Sequence, residues 1–378
     1  MTNIVSDKIG QLLFIGLKGT SLTAEEKKFI IDNNIGGVVL FGRNISTDES
    51  SRLENLVQLT TELHSLKNQR HDKSPLYVGI DMEGGRVARL KNPFTIWPPL
   101  KKLGDLDSAS TAFMMAENMG EELKAAGINV NFAPSADILT NPKNEVIGDR
   151  SLGGDAEHVA KLSSALVRGY IKSGIIPCPK HFPGHGDTLL DSHTDLPIQK
   201  ETDLETLMSR EMLPFKRALR ARAQMIMTAH ILFPKIDADW PATLSKIFIT
   251  DILRKEFRYK ELIITDDLDM KALRNKYSVE TIATRALEVG ANMLLYCNEP
   301  ESHVLGLEAI KKAVKDKKLA EAIIDESYLK VLNNKKDNLS QFTTLPLADA
   351  KKIIGKDAHK TVAQNIKDGV LPKNISDA

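Results

Sequence analysis

Apolar residues in this chain come in short, nearly unbroken runs. Each run is followed by a stretch whose apolar positions recur every three or four residues. The runs predict eight strands: Leu12–Ile15, Gly37–Phe41, Leu76–Asp81, Ile128–Ala133, Ile175–Lys180, Gln224–His230, Leu262–Asp266 and Asn292–Tyr296. Runs that are apolar at nearly every position suit parallel strands buried on both faces. Between them the period changes. Val159, Leu162, Leu166 and Tyr170 fall on one face of an amphipathic helix, which Gly174 is placed to end. Pro214, opening PFKRALRA, suits a first helical turn.

Eight such units predict an α/β fold, a closed (β/α)₈ barrel of the TIM type, rather than an open doubly wound sheet. An open sheet holding a dinucleotide would want G-x-G-x-x-G after a strand, and the Gly84-Gly85 of DMEGGRV is too short to serve. No strand is predicted after Asn333. Helical spacing at Ile353, Ile354, Val362 and Ile366 predicts a C-terminal helix lying on the barrel. The expected organisation is a catalytic barrel over residues 1–335 and a helical extension over 336–378.

The polar residues then sort themselves. Asp81, Lys180, His181, His230 and Asp266 sit at the ends of predicted strands or one residue beyond, and in a barrel those ends converge on one rim. From His181 to His193 the chain reads HFPGHGDTLLDSH. Pro183, Gly184 and Gly186 rule out a helix there, so the segment is a loop bearing proton-transfer groups. Within it Asp191 and His193 are two residues apart. The aspartate can accept a hydrogen bond from one imidazole nitrogen and raise the ring's proton affinity, making a general acid; an Asx-type turn is the plainer alternative.

Two aspartates, Asp266 and Asp267, end the seventh predicted strand. Neighbouring side chains of an extended chain alternate sides, so one of them should face the axis, and spacing does not say which. Capping the next helix is the competing role for Asp267. IDMEGGRVARL places Asp81 at a strand end with Arg86 and Arg89 after a Gly-Gly turn, and GDRSLGG adds Arg150. A carboxylate that accepts from vicinal hydroxyls, with fork-shaped arginine donors, suits a polyhydroxylated substrate; surface salt bridging is the bland account of the arginines.

Composition narrows the partners. With 51 basic and 50 acidic residues, and basic runs such as KKAVKDKK interleaved with apolar positions, no nucleic-acid partner is expected. The one apolar burst near the N-terminus, LLFIGL, is too short for a membrane span, so no membrane partner is expected. Cys178 and Cys297 each lie in an apolar run and read as reduced, buried thiols, which suits a cytoplasmic protein. His181, His185, His193 and Asp187 could ligate zinc. Because no H-E-x-x-H pair occurs and the cysteines are far apart, no metal and no other cofactor is expected.

Together, KHFPGHGDTLLDSH, DMEGGRVARL, GDRSLG, MTAHILFP, PATLS and TDDLDM closely resemble glycoside hydrolase family 3, in its bacterial β-N-acetylglucosaminidase branch, from about Ile9 to about Asn333. The resemblance implies a barrel that removes terminal, non-reducing β-linked N-acetylglucosamine (GlcNAc) with retention of configuration. It implies Asp266 as nucleophile, His193 as general acid/base and Asp191 as its partner. It also implies that Asp81, Arg89, Arg150, Lys180 and His181 hold the sugar, with Met227 and His230 nearby. The expected substrate is a small GlcNAc-containing disaccharide or muropeptide of cytoplasmic peptidoglycan recycling, and the expected state is a monomer. Met82 stands where the family more often has glutamine. A family 3 β-glucosidase, a metal-dependent barrel hydrolase and a non-catalytic carbohydrate-binding barrel are the alternatives.

Overall fold

A computed structural model describes residues 4–188, 195–299 and 301–372. Asp191 and His193 lie outside the described residues. Eight parallel strands form one sheet, here β1 (Leu13–Gly16), β2 (Gly37–Leu40), β3 (Tyr77–Ile80), β4 (Val130–Asn131), β5 (Ile176–Pro177), β6 (Met225–Met227), β7 (Leu262–Asp267) and β8 (Met293–Tyr296). Apart from β5 and β6, sequence neighbours pair, and β1 also pairs with β8, Leu13 opposite Leu294. Between β5 and β6 closure comes just beyond the regular strands. Met227 N–H donates to Pro179 O (3.0 Å), and Phe182 N–H donates to Met227 O (2.8 Å). The result is a barrel of the expected (β/α)₈ kind.

Every predicted strand is present, but β4, β5 and β6 are shorter than their apolar runs. Lys180 and His181 therefore lie on irregular backbone past β5, tied in by isolated bridges from Ser135 to Lys180 and from Phe182 to Thr228. Inside the barrel Phe14 stacks on Tyr77 and meets Phe132 edge-on, with ring centroids 6.0 and 5.4 Å away. Gly37 and Gly79 make room for it, since a Cβ at either would lie 2.7 or 3.0 Å from the Phe14 ring. Large and small residues thus interdigitate across the barrel interior.

The helices form the outer layer. Ala156–Ser173 buries Val159, Leu162, Leu166 and Tyr170; Asp155 caps its start through the His158 N–H, and Gly174 ends it in the left-handed conformation. Leu213–Arg220 carries Pro214 in its first turn. The long helix Glu321–Leu339 runs through the 335/336 division expected above, and its Lys335 reaches Gln11 and Gly36 just before β1 and β2. The single C-terminal helix expected after it is two helices, Leu347–Ile353 and Asp357–Asp368. The break has a polar cause. Gly355 N–H leaves the helical ladder to donate to buried Glu122 (3.0 Å), which His359 Nδ1 also approaches at 2.8 Å. No described helix is long and apolar enough to cross a membrane.

Candidate active site

Residue 81 follows β3 directly, and the chain then doubles back as an antiparallel ribbon, Met82–Gly84 against Val87–Ala88. In extended backbone the side chains of residues 81 and 83 share a face. Both carboxylates meet Lys180, whose Nζ lies 2.7 Å from Asp81 Oδ1 and 2.7 Å from Glu83 Oε1. Arg150 closes on Glu83 with two parallel hydrogen bonds from Nε and Nη2, each 2.9 Å, and Arg89 Nη2 donates to Asp81 Oδ2 at 3.1 Å.

Burial alone would raise both carboxyls and lower the ammonium. The opposite charges win. Lys180 and Arg89 hold Asp81 below its ordinary value, and Arg150 and Lys180 hold Glu83 well below the usual carboxylate range. The same two carboxylates hold Lys180 above its ordinary value. This network fixes long, flexible side chains in one geometry, which is what a site recognising hydroxyls by direction requires.

His181 is oriented from behind. Its Nδ1 lies 2.7 Å from Asp137 Oδ2, and Asp137 Oδ1 accepts the backbone N–H groups of His181 (3.2 Å) and His185 (2.7 Å). A carboxylate at Nδ1 leaves Nε2 to face Arg150 and the cavity. His185 does not reach that cavity. It is buried, its Nδ1 lies 2.8 Å from Thr188 Oγ1, and burial together with neighbouring His181 depresses its pKa to about 4. Asp187 pairs with Arg210 (3.4 Å). Among the described residues no group of three or more His, Cys, Asp or Glu side chains is arranged to hold a metal.

The aspartate pair departs from simple alternation. Between Ile264, opposite Met293, and Asp267, opposite Leu295, β7 carries one residue more than β8. Such a bulge re-aims side chains, and here both Asp266 and Asp267 line the cavity. They are not equivalent. The Asp267 carboxylate accepts from Cys297 N–H, Asp269 N–H and Asn298 Nδ2, each at 3.0 Å. Burial and nearby Asp269 push it up to about 7. Asp266 Oδ1 accepts the Asp267 N–H at 2.8 Å.

These groups surround a cavity of about 280 Å³ at the C-terminal rim. Of the residues expected at the site, Asp81, Arg89, Arg150, Lys180, His181, Met227 and Asp266 line it. His230 does not; its ring nitrogens meet Thr243 Oγ1 (2.9 Å) and the Asp267 carbonyl (3.0 Å), so it backs the β7 bulge. Phe41, Arg86 and Asn298 also line the cavity. Glu83 and Asp137 escaped the sequence reading. For Glu83 the signal was present, an acid two residues after Asp81 in the same motif. Asp137 carried none, because its partner lies 44 residues away.

Known proteins are similar to this chain in sequence and fold. The family model described as the glycosyl hydrolase family 3 N terminal domain matches residues 4–334. A beta-hexosaminidase of Nitrosomonas eutropha is 36% identical over 298 residues, 77% of this chain and 81% of that protein. A family 3 β-N-acetylglucosaminidase from Paenibacillus superposes with a TM-score of 0.87 at 36% identity, covering 96% of this chain and 68% of its own. NagZ of Neisseria gonorrhoeae, solved in complex with N-trifluoroacetyl-D-glucosamine, gives 0.75 at 29% identity, covering 95% of this chain and 98% of its own. The chain belongs to glycosyl hydrolase family 3 and is an enzyme.

Proposed function

We propose that this enzyme is an exo-acting, retaining β-N-acetylglucosaminidase. The observation that carries the reading is the meeting of Asp266 with the Asp81–Lys180–Glu83–Arg150 network in one cavity. Its volume of about 280 Å³ suits a single sugar ring. Arg89 Nε is buried without a hydrogen-bond partner among the described residues, a donor available to a sugar hydroxyl. The relative solved with an N-acyl glucosamine favours an acetamido sugar over glucose.

In this reading the Asp266 carboxylate attacks the anomeric carbon while His193, paired with Asp191, gives its proton to the leaving glycosidic oxygen. Water then attacks the glycosyl–enzyme ester, His193 takes its proton, and the sugar leaves with its configuration retained. An imidazole acid departs from the usual carboxylate pair and adds no second negative charge beside the nucleophile. The natural substrate we propose is a GlcNAc-anhydromuramoyl fragment of peptidoglycan. The two buried, unpaired thiols fit a cytoplasmic place for that reaction.

The test is release of nitrophenol from the β-N-acetylglucosaminide and the β-glucoside, with and without EDTA. Cleavage of the first alone, unaffected by EDTA, is expected. Preference for the glucoside would move the protein to the β-glucosidase branch, and loss of activity in EDTA would call for a metal.

A further inference from the structure

Arg210 and Glu211 lie outside the cavity, and the chemistry above gives them no part. They end a five-residue π-helical turn, Leu207–Glu211, just before the helix Leu213–Arg220. Glu211 is 1% exposed. Its Oε1 accepts from Arg210 Nε (2.6 Å) and Thr140 Oγ1 (3.5 Å), and its Oε2 is buried with no hydrogen-bond partner among the described residues. Gly184, at φ +133°, sits directly against it. A Cβ there would lie 2.9 Å from Glu211 Cβ and 3.3 Å from Oε2. Arg210 also reaches the loop, its Nη2 donating to Asp187 Oδ2 at 3.4 Å. One arginine thus joins the carboxylate under Gly184 to the aspartate three residues further on.

A buried carboxylate is costly, and an apolar residue would fill the same space without that cost. Burial pushes the Glu211 carboxyl up to about 7; Arg210 opposes the rise, and Asp187 from the loop and Asp137 from beyond β4 add to it. A costly group kept at the stem of a functional loop is better explained by placement than by stability.

We propose that the Arg210–Glu211 pair positions the loop carrying the acid/base histidine, with Glu211 as the seat beneath Gly184 and Arg210 as the tie to Asp187. This rests on the reading of His193 as the acid. Neither residue lines the cavity, so both are positioning residues. Their loss should matter only where the leaving group needs a proton.

The experiment compares Arg210→Gln, Glu211→Gln and His193→Ala on two substrates. One is a β-linked GlcNAc disaccharide, which needs protonation; the other is the 2,4-dinitrophenyl glycoside, which does not. Each positioning variant should lose about tenfold or more in kcat/KM on the disaccharide and stay within about twofold on the dinitrophenyl substrate. In the His193→Ala background, Arg210→Gln should add nothing further. Arg210 is 39% exposed, so its variant should fold, and it decides the matter alone if Glu211→Gln does not. Equal losses on both substrates, or no loss on either, would overturn the proposal. If His193→Ala shows the split and Arg210→Gln does not, positioning falls while the acid assignment stands. If His193→Ala shows no split, both fall together.

Discussion

Lys180 and Lys335 sit at opposite ends of the barrel, both almost fully buried, in opposite electrostatic company. At the C-terminal rim, Lys180 lies 2.7 Å from each of two carboxylates, which outweigh burial and hold its ammonium above the ordinary value. At the closed end, Lys335 donates to Gln11 Oε1 (2.7 Å) and Gly36 O (2.8 Å) and lies 4.7 Å from the Tyr77 ring centroid. Burial and nearby Arg70 push it well below the ordinary value, and Asp72 offsets this only in part. Burial sets the same penalty at both ends; the partners decide whether the charge survives it. In the proposed reading the rim keeps charges to hold a polar substrate. The closed end needs only N–H donors for two oxygens, and nothing there matches the two carboxylates that hold the Lys180 charge.

The largest effect expected at the rim is on chemistry alone. Asp266→Ala should lower kcat at least about a hundredfold with little change in thermal melt, since it removes the proposed nucleophile and leaves the Asp81–Lys180–Glu83–Arg150 network in place. Residual activity above that level would remove Asp266 from the role.

Lys180→Met should cost both activity and fold, because it leaves Asp81 and Glu83 buried without a shared counter-charge. A loss of ~3–5 kcal/mol in urea unfolding is expected. A variant as stable as the parent would show that the two arginines suffice.

Lys335→Met should change stability by less than ~2 kcal/mol, its two bereft oxygens offset by the relieved burial of an amine, with kcat/KM unaltered. Its pH dependence sharpens the contrast. A base whose folded pKa is depressed stabilises the fold above its unfolded pKa, and that contribution is lost as pH falls through the folded value. The unfolding free energy of the parent, relative to Lys335→Met, should therefore rise between pH 7 and 10. A flat difference would mean that Lys335 stays charged.

The smallest effect lies at low pH. Asp81 and Glu83 have depressed pKa values, so their contribution is present above the ordinary carboxylate range and is lost as pH falls through the folded values. Glu83→Gln should flatten the acid limb of the stability profile below about pH 4.

The two ends were not equally legible in the sequence. Asp81, Lys180 and Asp266 announced themselves as polar residues closing apolar runs. Lys335 looked like one more lysine on a helix, and nothing nearby in sequence marked Gln11 or Gly36 as its partners. Glu83 stood in plain view inside a motif, yet its role depends on Arg150, 67 residues away. The alternation rule left Asp266 and Asp267 undecided because a bulge is a property of two paired strands, and the sequence of one does not contain it.

What the sequence determined by itself was local: eight apolar runs, the helices between them, the stop at Gly174, and the polar residues at the strand ends. These follow from backbone geometry and burial periodicity, which act over a few residues. Tertiary structure alone decided which charges meet, where strands end short of their apolar runs, where the C-terminal helix breaks, and that both adjacent aspartates line the cavity. Each of those turns on distances between residues tens or hundreds of positions apart, set only when the barrel closes.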